Sequence, residues 1–297
     1  MGLTFRKYHG LGNDFIVLDG ITSGLPLDLL HRAAPGLCHR HTGIGADGLL
    51  LVLPAVEPGS NARMRVINAD GSEPEICGNG IRCVAKALHD HVEGFRGLGS
   101  ITIDTGAGPL RCDLTVGQDG LVGSVRVDMG HPDLKRSALP MVGQGPFVEQ
   151  PIEETAGPSP PGPRLRWTAV SMGNPHIVAF VDDPAQDLRA LAEALGPRME
   201  HHPLFPNRTN VELVRLGPQE AEAETWVWER GCGITQACGT GACAVAVAAV
   251  ETGRHSADRE LAVRLPGGAL RVKVDPDRQR VWMDGPAVEV FEGLVDL

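Results

Sequence analysis

Cys77-Gly78-Asn79-Gly80 and Cys238-Gly239-Thr240-Gly241 are one pattern used twice, 161 positions apart, and each opens an apolar run containing alanines. Asn13 and Asn174, each the second residue of a Gly-Asn pair ahead of an apolar run, are separated by the same interval. So are Asn68 and Glu229, each nine residues before its cysteine. One offset shared by three motifs is the signature of an internal duplication. The chain is expected to fold as two homologous, pseudo-symmetric halves. The class is α+β, with each half a mostly antiparallel, barrel-like sheet wrapped around one central helix that has the cysteine at its N-terminus.

The remaining pattern fits this reading. Runs such as 14–19, 49–53, 100–105, 110–116, 176–182, 210–216, 225–230 and 270–274 are alternating or β-branched and are punctuated by Gly and Pro, as strands are. Helices are expected over 25–34 and 184–195 at the surface, from 81 to about 91, and over 242–250. The last of these is apolar all round and should be buried. A length of 297 residues suits two domains. The expected division is 1–123 with the C-terminal strand 286–297, and 124–285, with the site in a cleft between them. Pro151–Pro163 reads as an exposed loop. Gly43-Ile44-Gly45-Ala46-Asp47-Gly48 fits a dinucleotide-binding expression, but it precedes a strand where that motif requires a helix, so it is discounted.

Composition narrows the function. A net charge of −10 excludes a polyanion partner, because nucleic-acid binding needs clustered Lys and Arg. No apolar run reaches the length of a membrane span, and residues 1–15 lack a signal-peptide core, so no membrane association and a cytoplasmic location are expected. Seven cysteines is an odd number for a disulfide framework. Their spacings contain no Cys-x-x-Cys pair, so no metal is expected.

Cys83, Cys112 and Cys243 lie inside apolar patterns and read as packing residues. Cys77 and Cys238 do not, since each is followed by Gly-x-Gly at a helix start. Unpaired backbone N–H groups and the helix dipole favour an anion there, which should lower the thiol pKa and let the backbone grip a carboxylate. Two such thiols facing one α-carbon would remove a proton from one face and return one to the other. That is stereoinversion of an amino acid by paired acid and base. No phosphate cradle is evident, so no pyridoxal cofactor is expected.

The segments 7–15 (Lys-Tyr-His-Gly-Leu-Gly-Asn-Asp-Phe), 68–72, 77–83, 172–176 (Met-Gly-Asn-Pro-His), 208–210, 229–231 and 237–242 resemble diaminopimelate epimerases, and the likeness spans the whole chain. The resemblance implies that fold and a cofactor- and metal-independent isomerase. The reaction would interconvert LL- and meso-2,6-diaminopimelate on the route to lysine and peptidoglycan, with a homodimer common in the family. It implies acid/base roles for Cys77 and Cys238. Asn13, Asn68, Asn174 and Asn210 would hold substrate, Gly78, Asn79, Gly239 and Thr240 would form backbone cradles, and Glu229 and Arg230 would contact substrate, with His176 in support. Two departures stand out. Some members carry Gln at Gly48, so a contact to the far end of the substrate is expected to be missing or replaced here. Gly231-Cys232-Gly233-Ile234 also differs from the usual Gly-Ala-Gly turn. The competing readings are a proline-racemase or hydroxyproline-epimerase-like enzyme, which typically has His at the position of Asn79, and a non-catalytic amino-acid-binding protein of the same fold.

Overall fold

A computed structural model describes residues 2–74, 77–152, 165–218 and 221–297. Apart from Pro151 and Ile152, the expected Pro-rich loop lies outside the described residues. The chain divides into two compact units, residues 1–128 with 284–297, and residues 129–283.

The first unit contains β1 (Gly2–Gly10), β2 (Asn13–Asp19), α1 (Leu27–Cys38), β3 (Gly48–Pro54), β4 (Ala62–Asn68), α2 (Gly78–His91), β5 (Ser100–Thr105), β6 (Gly108–Val116) and β7 (Val122–Asp128). The second runs through β8 (Gln150–Pro151), β9 (Arg166–Ser171), β10 (Pro175–Phe180), α3 (Leu188–Glu200), β11 (Asn210–Leu216), β12 (Glu222–Glu229), β13 (Gly233–Ile234), α4 (Gly239–Glu251), β14 (Glu260–Leu265) and β15 (Gly268–Val274). β16 (Val281–Pro286) leads back to the first unit, where β17 (Val288–Asp296) pairs antiparallel with β1.

The duplication is visible in the strand pairing. In the first unit β1–β2 is antiparallel, β2–β3 parallel, β3–β4 antiparallel, β4–β5 parallel and β5–β6 antiparallel. In the second, β9–β10, β10–β11, β11–β12, β12–β14 and β14–β15 repeat that alternation in the same order. A parallel pair needs a crossover, and helices supply it at matched places. α1 and α3 cross the first parallel pair of each unit, and α2 and α4 cross the second. The architecture is therefore α+β with mixed pairing.

Each unit buries its strands on both faces. Ile16, Leu18, Leu49 and Leu51 pack with Leu30, Ala34 and Cys38 of α1. The alternate residues Phe15, Val17, Leu50 and Val52 are buried on the opposite side of the pleat, and α2 packs against β1 to β7. In the second unit Ile177, Ala179, Val211 and Leu213 pack with Leu188, Leu191, Ala192 and Leu195 of α3. His176 and Glu212, one residue out of phase with these, therefore share the other face. Residues 239–250 of α4 are all buried. No helix among the described residues is long and apolar enough to cross a membrane.

Two helices, α1 and α3, differ from expectation at their ends. α1 runs through Pro35 to Cys38 because Leu30, Ala34 and Cys38 form one buried stripe at four-residue intervals. That burial offsets a proline cost of about 3 kcal/mol. α3 starts late, after Asp187, whose carboxylate caps the helix by accepting from the Ala190 N–H at 3.1 Å. It then continues past Leu195 because Met199 extends its apolar face.

Candidate active site

Cys77 is the N-cap of α2, with extended backbone angles, and its sulfur accepts a hydrogen bond from the Gly80 N–H at 3.3 Å. The first helical turn is fixed from inside the unit by Arg82, whose side chain is fully buried. Arg82 donates from Nη1 to the Gly78 carbonyl at 2.9 Å, from Nη2 to Asn79 Oδ1 at 3.0 Å and from Nε to the Pro286 carbonyl at 3.2 Å. Asn79 in turn donates to Asn13 Oδ1 at 3.2 Å, and Asn13 donates to Asp47 Oδ2 at 2.7 Å. Behind Asp47, Arg40 bridges Asp47 and Asp14 at 2.8 and 2.6 Å, and Lys7 pairs with Asp14 at 2.5 Å. These cations hold the Asp14 carboxyl below its usual range against the opposing effect of burial. Asn13, Asn79 and Cys77 thus sit on one hydrogen-bonded frame.

Asn68 closes β4 opposite Gly48 of β3, and its amide donates to Ser72 Oγ at 2.9 Å. A Cβ on Gly48 would lie 2.7 Å from the Ile67 carbonyl oxygen. The backbone as it stands has no room for Gln at this position.

Cys238 is the N-cap of α4 in the same geometry, and its sulfur accepts from the Gly241 N–H at 3.3 Å. Its surroundings differ. Thr240 Oγ1 lies 3.5 Å from the sulfur and accepts from Asn174 Nδ2 at 3.2 Å. Asn174 Oδ1 is 2.9 Å from His176 Nε2, and His176 Nδ1 is 2.7 Å from Glu212 Oε1. His176 and Glu212 are both fully buried. Burial pushes the Cys238 thiol well above its ordinary value, Glu229 and Glu212 add to that, and the Thr240 and Gly241 contacts oppose it. The lowered pKa expected from the helix dipole is thus overturned for Cys238, where desolvation of a nearly enclosed sulfur is the larger effect.

The turn after β12 brings the remaining expected residues to this unit. The Arg230 N–H donates to Asn210 Oδ1 at 2.8 Å, and Asn210 Nδ2 donates to the Pro175 carbonyl at 2.8 Å. Asn210 is therefore a brace between β10 and the 229–231 turn. Glu200, at the end of α3, anchors the same turn through the Gly231 N–H at 2.9 Å and the Trp228 indole at 2.8 Å. Gly231 and Gly233 both have φ near +80°, which explains why glycines flank the exposed Cys232.

The structure brings Asn13, Asn68, Cys77, Gly78 and Asn79 to the first unit's helix start and its neighbouring strand ends. Asn174, His176, Asn210, Glu229, Arg230, Cys238, Gly239 and Thr240 are brought to the second unit's. Sequence reading missed Arg82, Glu200 and Glu212. Arg82 was visible as a charge one turn into an otherwise buried helix. Among the described residues, no group of three or more His, Cys, Asp or Glu side chains is arranged to hold a metal ion.

Two units of this topology make a fold shared with other solved proteins. A hydroxyproline epimerase from Agrobacterium vitis superposes with a TM-score of 0.67 over 99% of this chain and 91% of that one, at 19% identity. A PhzF-family phenazine biosynthesis protein from Bacillus anthracis also gives 0.67, at 18% identity and full coverage of both chains. The family described as diaminopimelate epimerase matches residues 5–135 and 168–290. A diaminopimelate epimerase from Moorella thermoacetica is 48% identical over 97% of this chain and 98% of its own length, and one from a Nostoc species is 46% identical over 99% of each. The chain belongs to the diaminopimelate epimerase family.

Proposed function

We propose that this protein epimerises LL-2,6-diaminopimelate to meso-2,6-diaminopimelate, in lysine and peptidoglycan precursor synthesis, using Cys77 and Cys238 as the acid and base. The observation that carries the reading is the matched capping of α2 and α4, where each sulfur accepts from the N–H three residues on at 3.3 Å. Each helix start offers N–H groups to an anionic carboxylate beside a thiol. Inversion requires that both thiols reach one α-carbon from opposite faces, so the reading places the substrate between the two units. When Cys77 takes the proton, Cys238, kept protonated by burial, returns one to the other face; the roles exchange in the reverse direction. Asn13, Asn79 and Asn68 on one side, and Asn174, Glu229 and Arg230 on the other, are the polar groups for the two charged ends of the substrate. Thiol acid/base chemistry of this kind proceeds without a pyridoxal or metal cofactor.

The same reading makes the protein a cytoplasmic enzyme and a homodimer. Val288, Val290 and Leu294 of β17 are exposed apolar side chains that a second copy would cover.

The test is incubation with LL-diaminopimelate in D2O, following optical change and α-deuterium together. Wild-type protein should incorporate one deuterium per inversion. Failure to exchange, or equal kcat/KM for proline, would overturn the assignment.

A further inference from the structure

We infer that Glu212 is a positioning residue which sets the direction of the hydrogen bonds running through His176, Asn174 and Thr240 to the Cys238 sulfur. The inference rests on the reading of Cys238 as an acid/base group.

The direction can be derived link by link. Thr240 Oγ1 accepts from Asn174 Nδ2, which leaves the hydroxyl proton free to be donated to the sulfur 3.5 Å away. Asn174 can present its NH2 to Thr240 only if its Oδ1 is turned to His176. An amide oxygen only accepts, so His176 Nε2 must carry a proton. Neutral imidazole has two tautomers, and the partner at Nδ1 decides between them. That partner is Glu212 Oε1. A protonated carboxyl donates to a bare Nδ1 and leaves the proton on Nε2. A carboxylate instead holds the imidazolium, which again has a proton on Nε2. Either placement of a shared proton yields the same donor direction. The one arrangement that would reverse the relay, a carboxylate accepting from Nδ1–H of a neutral ring with Nε2 bare, leaves a net charge in a fully buried site with Oε2 unpaired, and the enclosure of Glu212 disfavours it.

The setting supports this role. Burial raises the Glu212 carboxyl, with Glu229 adding and His176 opposing, which favours the neutral pair. Glu212 Oε2 is buried and without a hydrogen-bond partner, so the carboxyl's one hydrogen bond is committed to His176. A buried polar atom left in this way costs stability, and a residue chosen for packing would avoid that cost. The first unit shows the packing solution. A Cβ on Gly241 would meet Glu212 Oε1 at 2.9 Å, and a Cβ on Gly80 would meet Leu50 Cδ2 at 2.9 Å. Leu50 thus occupies in the first unit the place of Glu212 in the second. Phe15, 161 positions before His176, completes the apolar pair.

The experiment compares Glu212→Gln with Glu212→Leu. Leucine keeps the volume and restores the first unit's residue but leaves Nδ1 without a partner. Its kcat should fall by roughly 10- to 100-fold, the usual cost of losing a group that orients a histidine, with KM within about twofold. Glutamine donates an amide N–H to Nδ1, preserves the Nε2 proton and should stay within about threefold of wild type. A leucine variant with near-normal kcat would overturn the proposal, as would a glutamine variant as slow as leucine. Should the leucine variant fail to fold, nitrogen NMR of the wild-type ring decides the matter. A proton on Nε2 is required, and a bare Nε2 refutes the relay. Wild-type protein that carries the Nε2 proton yet does not turn over diaminopimelate would strike the functional reading alone.

Discussion

The two inner helices start alike and are supported differently. α2 is held by a buried cation: Arg82 grips the Gly78 carbonyl and Asn79, and Lys86, His89 and Asp90 form a second buried polar cluster further along, with Lys86 and Asp90 2.7 Å apart and His89 and Asp90 2.8 Å apart. Beneath its first turn lies the apolar Leu50. α4 carries no charged side chain from 239 to 250, and its polar support comes from the sheet below, as His176 and Glu212. A duplicated scaffold has thus kept the same cap geometry at both cysteines. The electrostatics around the two sulfurs have meanwhile diverged. The lesson is that equivalence of position does not entail equivalence of surroundings, and the surroundings decide what desolvates a thiol and what donates to it.

The comparison is tested most severely at the sulfurs. Cys77→Ala and Cys238→Ala should each lower inversion by at least about 10²–10⁴-fold, the range that a positioned acid or base supplies. A variant retaining a tenth of wild-type turnover would break the two-thiol assignment. Next comes the asymmetry of support. Arg82→Met removes three hydrogen bonds from a buried cation and should cost about 2–4 kcal/mol by urea unfolding, together with a raised KM as Asn79 loosens. Cys243→Ala, 161 positions on, should cost only about 1 kcal/mol. Equal losses would mean that the two helices are supported alike. The smallest effect concerns the packing thiols. Burial pushes Cys83 and Cys112 up to about 12. In the unfolded chain these groups ionise near 9, so above that pH the native state binds more protons and stability falls as pH rises towards 12. The loss should be on the order of 1 kcal/mol per thiol by about pH 10. Cys112→Val should flatten that slope in urea unfolding and leave turnover unchanged.

The duplication was legible because the same Cys-Gly-x-Gly helix start recurs at the offset shared by the Gly-Asn pairs. Most strands were legible from β-branched runs between glycines. Glu212 was not. In Asn210-Val211-Glu212-Leu213-Val214 a single carboxylate reads as the solvent side of an alternating strand, and only the presence of α3 on one face and α4 on the other makes both sides interior. Asn210 was singled out as a substrate contact; that its amide also spans two backbone groups could not be read, because this use depends on the distant turn at Arg230. β1 and β16 went unassigned because the first was absorbed into the Lys-Tyr-His-Gly motif and the second ends in Gly-Pro. For Cys238 the helix-start argument gave the wrong sign of pKa shift because enclosure cannot be read from neighbours in sequence.

β17 pairs with β1 from Gly2 opposite Asp296 to His9 opposite Val288. During synthesis, therefore, β1 waits for a strand that is made long after it. Domains ordinarily complete in the order in which they leave the ribosome. Here residues 129–283 have all their sheet partners to hand while β1 still has one edge open, so the second unit can finish first. Until residues 288–296 emerge, the nascent chain presents an exposed strand edge, and a chaperone or a premature neighbour would meet this protein there.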